Sequence, residues 1–130
     1  MTVEIQEVRD YLNKITTSRV HDDTITINIE LANTIVENES SKEASDETIK
    51  DAVLTQAGYL SYLSYATEFE RSVGRVPPPM LIHIDRLKAI ADKFLTYAKR
   101  ADNEQRKPPI MELSDTVSKR FRTLRHGTGL

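Results

Sequence analysis

The stretch from Ser45 to Gly74 constrains this chain more than any other. It reads as one helix of about 27 residues, on the order of 40 Å long. Ser45 followed by Asp46 and Glu47 is a good helix start. Gly74 suits the left-handed position that ends a helix, and Pro77, Pro78 and Pro79 then fix an extended hinge that sets the direction of the next helix. At the centre lies Gly58-Tyr59-Leu60-Ser61-Tyr62-Leu63-Ser64-Tyr65-Ala66. Spacings of four, three and four put Gly58, Tyr62, Tyr65 and Phe69 on one face, beside a second face of Ile49, Val53, Gln56, Leu60 and Leu63. A helix with that much apolar perimeter has more than one side to cover. Gly58 costs roughly 1 kcal/mol relative to Ala in such a helix, so its expected use is to let another backbone come close.

Three further helices are expected around this spine. Ile5, Val8, Leu12 and Ile15 form a stripe in a short helix over about residues 3–14, with Thr2 as the cap and Glu4 and Glu7 near the positive end of its dipole. Residues 24–31 alternate polar and apolar and are rich in β-branched side chains, which locally favours a strand. Over a longer window the helical period wins: Ile25, Ile29, Ala32 and Val36 make an apolar stripe, and Thr26, Glu30, Asn33 and Glu37 a polar one. The expectation is a helix over about 23–38, capped by Asp22 or Asp23 and buried on more than one side because Ile27, Leu31 and Ile35 widen the apolar arc. The last helix is expected to open at Met80 or Leu81. Its apolar face is Leu81, Ile84, Leu87, Ala91, Phe94, Leu95 and Ala98, and it ends on Lys99 and Arg100. The fold class is thus all-α: a small bundle of about four helices over residues 1–102 with one long central helix, followed by an extended basic arm over residues 103–130.

Composition narrows the function classes. With 130 residues the chain fits one domain, and a hydrophobic share of 38% is low enough that part of it is expected outside the core. No cysteine is present, which removes disulfides and thiolate metal sites and permits an intracellular or virion setting. No export signal or run of roughly 18 apolar residues is visible, so no membrane association is expected. The net charge of −2 divides unevenly: residues 103–130 hold six cations against three acids, or +3, which leaves −5 for the rest. A basic arm of that kind docks on an acidic neighbouring surface or remains solvated.

Catalysis finds little support in the sequence. His21, His83 and His126 are scattered, and no His-Glu-x-x-His pattern occurs. Glu68 and Glu70 are two apart and face different sides of a helix, which does not make a general acid and base pair. The four glycines form no phosphate-cradling loop. The reading is therefore of a protein without catalytic, cofactor-binding or metal-binding residues. Lys119, Arg120, Phe121, Arg122, Leu124 and Arg125 interleave charge with apolar anchors and could grip a phosphate backbone. A body at −5 repels a duplex, however, and no recognition helix with clustered Arg is present. Tyr59, Tyr62 and Tyr65 fit either a core edge or an interface that is dry on one side and wet on the other.

The order of these parts resembles the ring-forming head-tail adaptor, or connector, proteins of tailed bacteriophages and related viruses. The likeness is carried by Val8-Arg9-Asp10-Tyr11-Leu12 in a first helix, Asp22-Asp23, then Ile29-Glu30-Leu31-Ala32-Asn33-Thr34-Ile35-Val36-Glu37, and a long helix from Ala52 to Glu70-Arg71. It covers about residues 3–100 and is one of pattern rather than signature. It departs from the family in the length of the third and last helices and in the proline hinge. The resemblance implies a non-enzymatic virion protein, assembled in the host cytoplasm, that forms a ring with copies of itself, commonly twelve, beneath the portal protein. Such a ring extends the DNA channel, carries packaged DNA without sequence-specific binding, and docks a neck or tail completion protein. On this reading Tyr59, Tyr62, Tyr65 and Phe69 make subunit contacts, Gly74 and Pro77 to Pro79 orient the last helix, and the basic arm docks on the portal or a neighbouring subunit. The alternative from another class is a small helical DNA-associated regulator with the basic tail on phosphates.

Overall fold

The computed structural model describes residues 2–16 and 19–100. They form four helices, α1 (Ile5–Asn13), α2 (Asp22–Glu39), α3 (Asp46–Val73) and α4 (Pro78–Lys99), with no strand among the described residues. The all-α expectation therefore holds. The arm over 103–130, with Lys119, Arg120, Phe121, Arg122, Leu124 and Arg125, lies outside the described residues.

Helix α3 is the spine, and each of the other three helices packs on it. Its buried positions include Ala52, Ala57, Gly58, Ser61 and Ala66, small residues that let neighbouring helices approach from several directions. Its ends are as the sequence indicates: the Ser45 Oγ accepts from the Thr48 N–H at 3.1 Å, and Gly74 sits at φ +97° with its N–H donating to the Glu70 carbonyl at 2.7 Å.

Helix α1 is capped by Glu4 rather than Thr2, through a capping box in which the Glu4 N–H donates to the Glu7 carboxylate at 3.0 Å. The chain enters the helix from Val3, which is buried in the core as is Val8 five residues on, in the arrangement of a hydrophobic staple. The Glu7 carboxylate also meets Lys50 of α3 at 2.9 Å, and that hydrogen bond and the one from Glu4 hold its pKa below the ordinary value.

Helix α2 is helical throughout residues 24–31, because Ile25, Ile29, Ala32 and Val36 all enter the core at helical spacing. It starts one residue earlier than expected. His21 holds the cap position, and Asp22 and Asp23 occupy the first turn, where carboxylates favour the dipole; Asp22 is ion-paired to Arg9 of α1. Burial is confined to one side, contrary to the wider apolar arc expected: Ile27 and Leu31 are exposed. A buried polar residue, Asn28, joins α2 to α3 by donating to the Ser64 hydroxyl at 3.3 Å, and it also donates to the Thr24 carbonyl within α2 at 2.8 Å.

Helix α4 begins at Pro78, with Pro77 at the cap, two or three residues before the expected Met80 or Leu81. Pro78 and Pro79 are thus inside the first turn, where a missing N–H is no loss and the fixed φ matches the helix. Met80, not Leu81, enters the core, on the same stripe as Leu87, Ala91 and Ala98 at spacings of seven, four and seven. At the far end the Ser41 N–H donates to the Ala98 carbonyl at 2.9 Å and Lys99 meets Glu39 at 3.2 Å, which ties the end of α4 to the end of α2.

Candidate interaction surface

The aromatic face expected for subunit contact divides. Tyr62 has no exposed surface and belongs to the chain's own core, so it is not available to a neighbouring molecule. The physical reason is that α4 closes over it: the His83 ring stands edge-on to Tyr62 at 5.9 Å, and Tyr65 packs on it at 5.8 Å. Tyr59, Tyr65 and Phe69 are half-buried at the core's edge. Gly58 accommodates a side chain rather than a backbone, since the Tyr11 ring fills the space beside it. The hydroxyls of Tyr11, Tyr62 and Ser61 are buried without a hydrogen-bond partner among the described residues, and burial pushes the Tyr11 phenol up to about 12 against an opposing pull from Arg86.

The uncovered apolar surface lies elsewhere, on five residues that periodicity assigned to core faces or did not single out. Ile27 is 64% exposed, Leu31 47%, Val73 56%, Leu81 48% and Ile82 65%. They fall in two places. Ile27 borders an open groove of about 870 Å³ between the first half of α2 and the last third of α3, shared with Leu63, Tyr65, Phe69 and Val73. Leu31 is one turn further along the same side of α2. Leu81 and Ile82 form an exposed pair in the first turns of α4, at the end of the bundle where α3 stops and the chain reverses through Gly74 and the prolines.

Two charged side chains line the groove itself, Arg19 ahead of α2 and Glu68 on α3, while an acidic row lies beside it along α2. That helix carries Asp22, Asp23, Glu30, Glu37 and Glu39 and no Lys or Arg. Asp22 is paired with Arg9 and Glu39 with Lys99, whereas Asp23, Glu30 and Glu37 have no ion pair among the described residues. These three recur at seven-residue spacing, so they line up along one edge of the exposed Ile27–Leu31 stripe. On α3, Glu68 at the groove wall is bound by Arg71 at 2.9 Å.

Among the described residues no three His, Asp or Glu side chains converge as metal ligands, and no helix is long and apolar enough to cross a membrane. His83 is engaged with Tyr62, and His21 caps α2. The arrangement offers grooves and apolar edges. No family model, curated protein or solved structure matches this chain.

Proposed function

We propose that this chain is a structural assembly subunit that acts by covering surfaces on other molecules, without catalysis or a cofactor. The observation that supports this class is the exposed Leu81–Ile82 pair in the first turns of α4, at the end of the bundle where α3 stops. Large apolar side chains gathered at the tip of a helical pair lose exposure only when another surface meets them.

Within that class we place it as a head-tail adaptor of a tailed virus, a subunit of a ring below the portal that extends the DNA channel and receives the neck or tail. Support for this finer reading is the helix order and the residue pattern over about residues 3–100. In the ring, the α3–α4 tip is the contact between neighbouring copies, with Tyr59, Tyr65 and Phe69 as further candidates, and the proline turn fixes its angle.

Native mass spectrometry and negative-stain imaging of the full chain, alone and with a portal ring, test the proposal. Closed rings or portal-bound copies are the expected result. A monomer that ignores the portal at tens of micromolar overturns the adaptor assignment. Duplex DNA affinity that falls steeply with salt would instead favour the regulator.

A further inference from the structure

The exposed side of α2 has three properties together: an apolar stripe of Ile27 and Leu31, a groove alongside it, and a row of carboxylates with no ion pair among the described residues. One segment of the same chain has the complementary set. Val117, Phe121 and Leu124 are spaced four and three apart, and Lys119, Arg120, Arg122 and Arg125 surround them with no acid from residue 116 to 125. The spacing gives one apolar face and a cationic remainder if that segment turns as a helix on docking.

We propose that residues 116–125 dock intramolecularly on α2, with Phe121 entering the groove beside Ile27 and the basic side chains facing Asp23, Glu30 and Glu37. The inference goes beyond the assembly reading and stands whether or not the chain forms a ring.

Geometry places the occupant within reach. Lys99 lies against Glu39, so the chain leaves the described bundle at the C-terminal end of α2. Ile27 is twelve residues back along that helix, about 18 Å away at 1.5 Å per residue. Fifteen residues, 101–115, connect the two, and they extend to at most roughly 50 Å. A connection that spans its target with slack makes binding intramolecular at a millimolar-order effective concentration, ahead of the same contact between separate molecules in dilute solution. Charge supplies the register, since α2 offers only carboxylates and the segment only cations.

The absence of cysteine makes the test direct. A spin label on full-length His126→Cys protein, labelled with ¹⁵N, is expected to erase amide signals over the first half of α2 and spare the first half of α3. Two further samples decide the matter. In a mixture of spin-labelled unenriched chains with unlabelled ¹⁵N chains the signals should persist, and their loss there would show exchange between molecules and overturn the intramolecular assignment. In the Phe121→Ser/Leu124→Ser variant the broadening should disappear while the rest of the spectrum stays folded. Broadening that is absent from α2 in the first sample, or that survives the double substitution, also overturns the proposal. Reversing Asp23→Lys, Glu30→Lys and Glu37→Lys together should weaken the effect as the double substitution does, with the salt sensitivity of a surface charge contact.

Discussion

The ring of Tyr11 occupies the space that a side chain at position 58 would need: a β-carbon on Gly58 would lie 2.6 Å from both Cδ2 and Cε2 of Tyr11. This contact is part of the packing that seats α1 on the middle of α3. It accounts for a glycine in the centre of a 28-residue helix, where its intrinsic cost is roughly 1 kcal/mol.

Gly58→Ala therefore tests two opposed effects. Helix propensity favours alanine by about 1 kcal/mol, while overpacking against a ring held at the core's edge costs about 1–3 kcal/mol. The substitution should destabilise the protein in urea unfolding. In a Tyr11→Ala background the same change should become stabilising, with a coupling of about 1–3 kcal/mol between the sites. Additive effects would show that the two positions do not press on one another.

Tyr62 is expected to behave as a core ring and not as a polar contact. Its hydroxyl is buried and has no hydrogen-bond partner among the described residues, so Tyr62→Phe should be neutral or slightly stabilising. Tyr62→Ala should cost about 3–5 kcal/mol, because the ring has no exposed surface and the cavity cannot collapse freely. Urea denaturation of both variants checks the pair.

Two ionisations set opposite edges of the stability profile. The Tyr11 phenol is raised to about 12 by burial, so its contribution is complete below about pH 10, the ordinary value, and is lost as pH rises toward 12. Wild type should lose stability faster than Tyr11→Phe across that window. The Glu7 carboxyl is depressed from its ordinary 4.5 by Lys50 and the Glu4 N–H, so its contribution is present above that value and lost as pH falls through the lower folded one. The protection factors of α1 amides, corrected for the intrinsic pH dependence of exchange, should therefore fall on acidification in wild type more than in Glu7→Gln.

Gly74 takes φ +97°, and a β-carbon at this position would meet no atom of the described residues within 4 Å. The cost of Gly74→Ala is therefore backbone strain alone, about 1–2 kcal/mol. Gly74→Asn should cost less, since asparagine tolerates the left-handed region. Thermal unfolding of the two variants separates strain from packing.

Ile82→Glu addresses assembly. As an exposed position it should change monomer stability by no more than about 0.5 kcal/mol. Ring formation or portal binding should be lost if the α3–α4 tip is the contact between copies. Retained assembly would move the interface to another surface.

Helix existence was legible because its causes are local. Ser45, Gly74 and the 3.6-residue stripe of α3 act within a few residues of themselves, and even α2 could be rescued from its strand-like alternation by reading Ile25, Ile29, Ala32 and Val36 together. Which side of each stripe is covered was not legible. Tyr62 and Phe69 share a face by spacing, yet His83 of α4 seals the first and leaves the second half-open. Ile27 and Leu31 look like core residues from composition and are exposed because no described helix packs on that side of α2. A signal for them was present in the row of Asp23, Glu30 and Glu37 beside them, which marks that side as facing water.

By itself, then, the sequence determined four helices, their starts to within about three residues, and the opposite charges of the body and the terminal segment. Periodicity, capping and net charge depend on neighbours along the chain. Only the tertiary structure decided that Gly58 serves Tyr11, that Tyr62 is core, and that the uncovered apolar surface lies on α2 and at the start of α4. Those outcomes depend on which helix arrives at each face, and that choice is made by packing between residues tens of positions apart.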